Sequence, residues 1–515
     1  MNAIRSSPRL PLAPRPTAGP CGGLLALMIV CAGSLAAPGR AESRCDGLAA
    51  LRLPDLTVLD VTEVGSPVGH CKFDGRIGRR IGFSIWLPHE WNGGFAMGGQ
   101  GGFAGSVENQ ALALSGGQIL RQGWVTAATD TGHRASALDG SWALHDLEAI
   151  VDYGHLAVHR VTEMSKAIVA AHYGRPAETS FFLGCSNGGR QGLQEAQRYP
   201  EDYDVILAGA PALDFDGLGA AFLSITRQMY PEIDDLTQPV VTDEARSLLR
   251  AAIEDRCDAR DGISDGILAD PAACDFEVRS LACGEATSEG CLSAEQIGAI
   301  ETIYGGPRTA TGESLHVGFP FGAEDTDANG WGSWLSGRAD AAGPGIPSAA
   351  YAFGTGLARY FVHHDADWSY EGYDLARWPE DARAVARTLD ANDPDLDAFR
   401  ARGGKLLLYH GWSDAALSAN MSIGYVESVY RRDASAAEDV RLFLMPGVLH
   451  CFGGEGPAVV DWLGAMQRWH ESGEPPRELE AGFLSGGGGR KLCSWPTQAV
   501  YTGDDPRHPA SFTCR

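Results

Sequence analysis

One stretch, Gly184-Cys185-Ser186-Asn187-Gly188, constrains the fold of this chain more than any other. It follows a short apolar run at residues 181–183, which is typical of a buried strand, and precedes residues 191–198, which have the composition of a helix. Gly-x-Ser-x-Gly between a strand and a helix is the pattern of a nucleophile elbow, because the glycines let neighbouring backbones approach while the serine hydroxyl stays exposed. Ser186 is therefore the candidate nucleophile, and an ordinary glycine-rich turn is the alternative.

The length and charge of the chain limit what it can be. Its 515 residues are too many for one minimal core and favour either one large domain with an insertion or two domains. Its formal net charge of −25 argues against a nucleic-acid partner, because an acidic surface repels phosphates and the sequence shows no basic face. Solubility is the simpler explanation of this charge.

The N-terminal segment has the pattern of an export signal. Three arginines precede an apolar run at residues 23–37, and small residues follow up to Ala41. Because the run is short for a membrane span, the sequence predicts a signal peptide over residues 1–41 rather than an anchor. The mature protein is expected to be secreted or periplasmic, without membrane contact after signal removal.

Ten cysteines lie beyond this segment, and an even number in an exported chain implies disulfide bonds. Their local spacing suggests four bonds, Cys45 with Cys71, Cys257 with Cys274, Cys283 with Cys291, and Cys493 with Cys514. Cys185 and Cys451 then remain as a fifth pair. Sequence alone leaves other pairings open, but a zinc cluster is disfavoured because the chain lacks a Cys-x-x-Cys motif.

Strand-like runs alternate with a long helical segment at residues 147–171, which predicts a parallel α/β sheet. The runs cover residues 80–87, 124–129, 181–183, 203–210, 405–409 and 441–446. Strand-like runs are scarce between residues 213 and 402, which is too long a stretch for a loop. We therefore expect a catalytic domain of residues 42–212 and 403–515 and an inserted lid domain of residues 213–402.

Two further candidate catalytic residues follow predicted strands. Asp414 lies just after residues 405–409, and His450 lies just after residues 441–446. In α/β folds the carboxyl ends of the strands carry the chemistry. The chain order Ser, Asp, His is that of α/β-hydrolase triads, in which the histidine takes the serine proton and the aspartate fixes its tautomer. The sequence thus predicts an α/β-hydrolase fold with a large inserted lid domain and the triad Ser186, Asp414 and His450.

The fifth cysteine pair supports this assignment. Cys185 directly precedes the candidate nucleophile, and Cys451 directly follows the candidate base. A bond between them requires Cα atoms about 5.5 Å apart. It would hold Ser186 and His450 side by side although they are distant in sequence.

The glycine-rich stretch at residues 91–105 predicts a loop with closely approaching backbone N–H groups. In an esterase such a loop supplies one donor of the oxyanion hole, and the residue after the nucleophile supplies the second. We assign these donors to Gly101, with Gly102 as the next choice, and to Asn187. A flexible hairpin loop is the alternative.

Within the predicted lid, residues 257–267 space the carboxylates of Asp258, Asp261 and Asp265 with glycines. With the backbone carbonyls of Ile263 and Ile267, these side chains would form an oxygen-only cage, which suits Ca²⁺. An acidic turn that caps the following helix is the alternative. Aromatic residues are frequent further along the lid, and we expect most of them in its core and one or two against a substrate.

The chain resembles the tannase and feruloyl esterase family, which includes hydrolases of terephthalate monoesters. The resemblance rests on Gly184 to Arg190, His410 to Asp414, His450 to Gly454, the acidic loop and the glycine loop, and it extends from about Cys45 to the C-terminus. It implies an α/β-hydrolase with a large lid, no organic cofactor, and a structural Ca²⁺ in the lid at Asp258, Asp261, Ile263, Asp265 and Ile267.

The resemblance also implies the substrate. Family members cleave esters of aromatic or phenolic acids of the feruloyl or galloyl type, including phenolic esters of plant polysaccharides and polyphenols. The expected function is that of a secreted serine ester hydrolase that forms an acyl-enzyme. A terephthalate monoester hydrolase of the same family and a serine peptidase on the same fold are the alternatives, and a non-catalytic binding protein is disfavoured because all three triad residues are present.

Overall fold

A nine-stranded sheet dominates the structure, a computed structural model that describes residues 44–284, 289–337, 343 and 345–515. The predicted signal peptide lies outside the described residues. The strands of the sheet are β1 (Leu56–Val64), β2 (His70–Ile77), β3 (Ile81–Pro88), β4 (Gly94–Gly98), β5 (Val125–Thr129), β6 (Thr179–Cys185), β7 (Val205–Gly209), β8 (Lys405–Gly411) and β9 (Val440–Met445).

The sheet has the spatial order β1-β2-β3-β5-β4-β6-β7-β8-β9. Strands β5, β4, β6, β7, β8 and β9 pair in parallel, whereas β1, β2, β3 and β5 pair in antiparallel fashion. The expected α/β fold is confirmed, and its sheet is mixed. Because β6, β8 and β9 run in the same direction, their carboxyl ends lie at one edge of the sheet.

Both faces of the central strands are buried. Phe182 packs into the cluster on one face, while its neighbours Phe181 and Leu183 pack into the cluster on the other. Successive side chains of a strand point to opposite faces, so a continuous apolar run fits a strand covered on both sides. This explains why the central strands appear in the sequence as short apolar runs.

Helices cover the sheet and form the inserted segment. Before β7 they are α1 (Asp46–Ala49), α2 (Gln110–Leu114), α3 (Gln118–Arg121), α4 (Leu147–Val151), α5 (Ala157–Tyr173) and α6 (Asn187–Arg198). Between β7 and β8 they are α7 (Phe215–Met229), α8 (Asp243–Cys257), α9 (Ala294–Gly305), α10 (Trp331–Trp334), α11 (Ala349–Gly356), α12 (Trp378–Asp381), α13 (Arg383–Leu389) and α14 (Asp397–Ala401). Helices α15 (Ala419–Arg432) and α16 (Trp462–Ser472) follow.

Residues 213–402, the predicted lid, lie between two neighbouring strands of the sheet. The described part of this segment adds no strand to the nine-stranded sheet. The described residues from 44 to 515 belong to one compact unit, so the described part of the segment packs with the sheet rather than as a separate body. None of the helices in the described ranges has the length and apolarity that a membrane crossing requires.

Two small antiparallel sheets complete the chain after β9. One contains β10 (Val459–Val460), β11 (Glu478–Gly482) and β12 (Gly489–Cys493), and the other contains β13 (Ala499–Tyr501) and β14 (Phe512–Cys514). These short strands, and also β1 and β2, were not predicted from the sequence. Their burial alternates or is partial, so they lack the continuous apolar runs of the central strands.

The glycine-rich stretch differs from its predicted form. Residues 91–105 were expected to form a loop, but Gly94–Gly98 form the fully buried strand β4. A Cβ at Gly94 would lie 2.3 Å from the ring of Trp124, so this glycine permits close packing instead of a turn. The loop proper is therefore shorter and starts after Gly98.

Candidate active site

Ser186 lies between β6 and α6 in a strained backbone conformation. Its φ of 66° and ψ of −130° are rare for a residue with a side chain. Hydrogen bonds hold this conformation, since its N–H donates to the Gly209 carbonyl at 3.0 Å and its own carbonyl accepts from the N–H groups of Arg190 and Ala212. The helix begins at Asn187, four residues earlier than expected, so the turn is sharper than the sequence pattern alone predicts.

The flanking glycines are required by close contacts. A Cβ at Gly184 would lie 2.3 Å from the carbonyl oxygen of Gly188, and a Cβ at Gly188 would lie 2.1 Å from Oε1 of Gln110. Real side chains do not tolerate such distances, so the elbow needs glycine at both positions. The observed geometry is that of a nucleophile elbow.

Asp414 and His450 form a hydrogen-bonded pair at the carboxyl ends of β8 and β9. His450 Nδ1 lies 2.8 Å from Asp414 Oδ2, and both side chains are buried. The other carboxylate oxygen of Asp414 accepts hydrogen bonds from the N–H groups of Ala416 and Leu417 at 2.8 and 2.9 Å. This arrangement orients the imidazole with its second nitrogen free for proton transfer.

His410 is a further neighbour of this pair, to which the sequence analysis gave no role. Its Nε2 lies 3.3 Å from Asp414 Oδ2 and 2.9 Å from the Leu417 carbonyl, and its Nδ1 lies 2.8 Å from the Ser422 hydroxyl. Burial would raise the pKa of Asp414, but the charge of His450 and hydrogen bonds from both histidines hold that pKa well below its usual value. Asp414 is thus kept ionised.

Five disulfide bonds are present among the described residues, and they join the pairs that the cysteine spacing suggested. The bonds are Cys45–Cys71, Cys185–Cys451, Cys257–Cys274, Cys283–Cys291 and Cys493–Cys514. The Cα atoms of Cys185 and Cys451 are 5.9 Å apart across a sequence separation of 266 residues. The elbow and the loop that carries His450 are therefore tied together.

Ser186 and His450 line one cavity of about 330 Å³. No hydrogen bond joins their side chains in the part of the chain that the structure describes. Catalytic hydrogen bonds are often long before substrate binds, so the lack of this hydrogen bond is compatible with a serine–histidine pair.

The predicted oxyanion donors also border the cavity. Gly101, Gly102 and Asn187 all line it. Within the described ranges, their backbone N–H groups have no protein acceptor, whereas the N–H of Gln100 is occupied by Oε1 of Gln191 at 3.0 Å. Asn187 is the first residue of α6, where free N–H groups and the helix dipole favour a negative charge.

The inserted segment contributes directly to the site. The Asn329 side chain donates to the His450 carbonyl at 3.0 Å and accepts from the Trp334 indole N–H at 3.0 Å. The Trp334 ring stands edge-on to the His450 ring with centroids 5.3 Å apart. Asn329 had no signal in the sequence, because its partner atom is a backbone carbonyl 121 residues away.

The cavity wall is mostly apolar. Of the lid aromatics, Trp334 and Phe353 line the cavity, whereas Trp331 and Phe361 are buried in the core, as expected for most of them. The remaining large apolar groups of the wall come from both the catalytic body and the lid: Phe103, Leu138, Phe215, Leu218, Phe222, Leu357 and Leu417.

The acidic loop in the lid has features of a cation site. Each of its aspartates accepts a hydrogen bond from a backbone N–H group. The donor to Asp258 is Gly266, the donor to Asp261 is Ile263, and the donor to Asp265 is Ile267. The second oxygen of Asp261 is buried without a hydrogen-bond partner, and burial followed by the charge of Asp265 raises the pKa of Asp261 to about 6. An unpartnered carboxylate oxygen beside further carboxylates fits a hard cation.

One contact in this loop would compete with a bound cation. The Arg490 guanidinium pairs with the second oxygen of Asp265. Arg490 also donates to the Pro506 carbonyl at 3.2 Å. A cation at the loop would therefore share Asp265 with this arginine.

A strained serine at a strand-to-helix elbow, with a histidine–aspartate pair at the ends of neighbouring parallel strands, defines the α/β-hydrolase class. A family model described as tannase and feruloyl esterase matches residues 65–514. The chain belongs to this family and is a carboxylic ester hydrolase.

Known relatives agree with this assignment. The chain is 34% identical to mono(2-hydroxyethyl) terephthalate hydrolase of Piscinibacter sakaiensis, over 86% of this chain and 84% of that protein. It is 29% identical to feruloyl esterase B of Aspergillus niger, over 83% of this chain and 82% of that protein. The crystal structure of feruloyl esterase B from Aspergillus oryzae superimposes with a TM-score of 0.81 at 24% identity, covering 92% of this chain and 99% of that one, which shows the fold.

Proposed function

We propose that this protein is a secreted serine esterase that cleaves esters of aromatic or phenolic acids through an acyl-enzyme, with Ser186, His450 and Asp414 as its triad. One observation carries the proposal: a serine in elbow geometry and a histidine bound to a buried, ionised aspartate face the same cavity. The family assignment and the apolar cavity support the aromatic acyl group. Five disulfide bonds are compatible with an oxidising extracytoplasmic compartment.

The proposed reaction starts with attack of Ser186 Oγ on the ester carbonyl carbon while His450 Nε2 takes the serine proton. The negative charge on the carbonyl oxygen is stabilised by the N–H groups of Asn187 and of Gly101, or of its neighbour Gly102. The bond to the alcohol then breaks, and His450 returns the proton to the leaving oxygen. Water, deprotonated by His450, attacks the acyl group on Ser186, releases the acid and restores the serine.

A Ca²⁺ in the acidic loop belongs to the same proposal. Asp258, Asp261 and Asp265, with the carbonyls of Ile263 and Ile267, would hold it. The orphaned oxygen of Asp261 supports the assignment. The ion would stabilise the loop fold by offsetting the repulsion between its carboxylates, without a role in bond cleavage.

The Ser186→Ala variant tests the catalytic assignment. Without the Oγ nucleophile, hydrolysis of p-nitrophenyl acetate and methyl ferulate should fall by at least about 10⁴-fold, while the melting temperature stays near that of the native protein. Ser106→Ala, at an exposed serine outside the cavity, is the matched control and should retain full activity.

A panel of peptide anilides measured in parallel separates esterase from peptidase activity. We expect turnover of the esters only. Retained ester hydrolysis in the Ser186→Ala variant would refute the triad assignment, and preferential cleavage of anilides would establish the peptidase alternative.

A further inference from the structure

The cavity that contains Ser186 and His450 has an unusual composition for a site that binds phenolic acids. Among the described residues that line it, none carries a charge at neutral pH apart from the titratable His450, and none is a tyrosine or a threonine. The polar side chains that line it are those of Ser186, Asn187, His450 and Gln110, with the indole N–H of Trp334. The first and third belong to the proposed triad.

The remaining polar groups already have partners. Gln110 donates to the Cys185 carbonyl at 3.3 Å and accepts from the Cys185 N–H at 2.9 Å. Asn187 donates to the Gln100 carbonyl at 3.0 Å and accepts from Nε of Arg190 at 2.8 Å. The Trp334 indole donates to Asn329. Apart from the second N–H of each of these two amides and the free backbone N–H groups proposed for the oxyanion, a hydroxyl or carboxylate on the acyl group would meet no free partner among the described side chains of the wall.

The buried arginine near the elbow is occupied as well. Arg190 donates to the side chain of Asn187 and to the backbone carbonyls of Gly154, Leu389 and Tyr153. Its side chain is fully buried and does not line the cavity. It is thus not positioned to pair with a carboxylate on a substrate.

The wall instead offers aromatic surfaces. The rings of Phe103 and Phe353 lie 5.1 Å apart, and Trp334 stacks on Phe353 at 5.8 Å with an interplanar angle of 10°. Aromatic groups arranged in this way pack well against an aryl ring and provide apolar contact without hydrogen bonds.

We propose that the acyl group accepted by this site is an uncharged aryl group with few or no hydroxyl substituents, such as a benzoyl, cinnamoyl or methoxycinnamoyl group. Galloyl and terephthaloyl monoesters are then poor substrates. The inference rests on the proposed function, and it selects among the acids that the family assignment leaves open. Its physical basis is that a polar substituent loses water on entry and gains few hydrogen bonds from the described wall in return.

Two matched pairs of esters test the inference on the native protein. Methyl benzoate and methyl gallate differ in three hydroxyl groups, and dimethyl terephthalate and monomethyl terephthalate differ in one charge. Each kcat/KM is taken per ester bond and divided by the rate constant for hydroxide hydrolysis of the same ester, which removes intrinsic reactivity. We expect the neutral, unsubstituted member of each pair to be favoured by at least about tenfold.

A substitution at the wall provides an independent test. Leu138 is half-buried on the loop after β5 and lines the cavity, so Leu138→Arg would introduce a partner for a carboxylate. This variant should raise the ratio of monomethyl to dimethyl terephthalate turnover by at least about tenfold, whereas the neutral control Leu138→Met should not. If the arginine variant does not fold, the native panel alone decides.

The outcomes separate the two levels of the proposal. Faster or equal turnover of methyl gallate or monomethyl terephthalate by the native protein would overturn the inference and leave the esterase function intact. Absence of turnover for every ester, including p-nitrophenyl acetate, would overturn the proposed function itself.

Discussion

Two aspartates of this chain are held in opposite protonation states by their surroundings. Asp414 is surrounded by donors, His450, His410 and two backbone N–H groups, and stays ionised. Asp390 lies instead beside two other carboxylates, Asp214 and Asp216. Burial, followed by the charges of Asp216 and Asp214, raises the pKa of Asp390 to about 8. One carboxylate is thus suited to stabilise an imidazolium, and the other retains a proton at neutral pH.

The Asp390 cluster lies where the lid segment leaves and rejoins the catalytic body. Asp390 accepts hydrogen bonds from the backbone N–H groups of Phe215 and Asp216 at the start of α7. Asp390 itself directly follows α13. Asp214 is paired with His316 of the lid at 2.8 Å. The hydrogen bonds of Asp390 therefore join the beginning of the lid to its later part.

A pH dependence of stability follows at this scale. Because the pKa of Asp390 is raised in the folded state, the folded protein binds more protons than the unfolded chain between about pH 4 and about pH 8. The contribution of Asp390 to the stability of the folded state is complete below about pH 4 and is lost as the pH rises to about pH 8. We expect the free energy of unfolding, measured by urea titration, to fall across this range.

Asp390→Asn is the matching variant, because an amide keeps the shape and does not titrate. This variant should show a flatter dependence of stability on pH than the native protein. Asp367→Asn, at an exposed lid position, should leave the slope unchanged. An equally steep slope in Asp390→Asn would assign the pH dependence to other groups.

At the scale of single elements, the acidic loop that follows α8 is the part of the lid for which we propose a Ca²⁺ site. The Cys257–Cys274 bond links the end of α8 to the segment after the loop, so it restrains the loop that carries the carboxylates. Preformed, rigid clusters of oxygen ligands bind Ca²⁺ more tightly than flexible ones.

Metal removal tests this loop. A Ca²⁺ ion bound at the proposed site would stabilise the folded state by about 2.7 kcal/mol at a concentration of 100 times Kd, so EDTA should lower the melting temperature by several degrees and added Ca²⁺ should restore it. Asp261→Asn should melt at a lower temperature and lose the response to EDTA, whereas Asp367→Asn should keep it. An identical melting curve for metal-free and Ca²⁺-saturated native protein would remove the proposed site.

Some strands could be predicted from the sequence and others could not. Strands β6, β8 and β9 were predictable because they are buried on both faces and therefore consist of continuous apolar runs. Strand β4 was taken for part of a loop because its two glycines are signals for turns as well as for close packing. Strands β1 and β2 pair with each other at the sheet edge, where half-exposed residues give a weaker pattern.

In the candidate site, too, some residues could be predicted from the sequence and others could not. The positions of Ser186, Asp414 and His450 at the carboxyl ends of strands were predictable because each follows a recognisable strand in the sequence. His410 and Asn329 had no such signal, because their roles depend on contacts with Asp414 and with the His450 carbonyl that only the tertiary structure creates. Hydrogen bonds between distant backbone and side-chain atoms leave no pattern in a single sequence.

At the scale of the whole molecule, one disulfide encloses the entire lid. The Cys185–Cys451 bond closes a loop that includes β7, the lid and β8, and it joins the elbow to the loop carrying His450. Long loops closed in this way lose much conformational entropy in the unfolded state. The bond is therefore expected to affect both stability and the relative positions of Ser186 and His450.

Replacing both cysteines by alanine tests these two effects. The free energy of unfolding should fall by about 2–5 kcal/mol, and kcat for p-nitrophenyl acetate should fall by at least about tenfold, because small displacements of catalytic groups are costly. Removal of Cys493 and Cys514, whose bond joins strands outside the cavity, is the control and should leave kcat unchanged. A folded Cys185→Ala/Cys451→Ala variant with native kcat would show that the bond does not position the triad.

Covalent trapping of the nucleophile tests the esterase account most directly. The native protein would be treated with phenylmethylsulfonyl fluoride, and the adduct would be located by intact mass measurement and peptide mapping while residual ester hydrolysis is followed. We predict one adduct per chain, on the peptide that contains Ser186, with activity lost in proportion to labelling and no adduct in Ser186→Ala. Inactivation by an adduct on a different residue, or undiminished ester hydrolysis by protein fully labelled at Ser186, would contradict the assignment of the nucleophile.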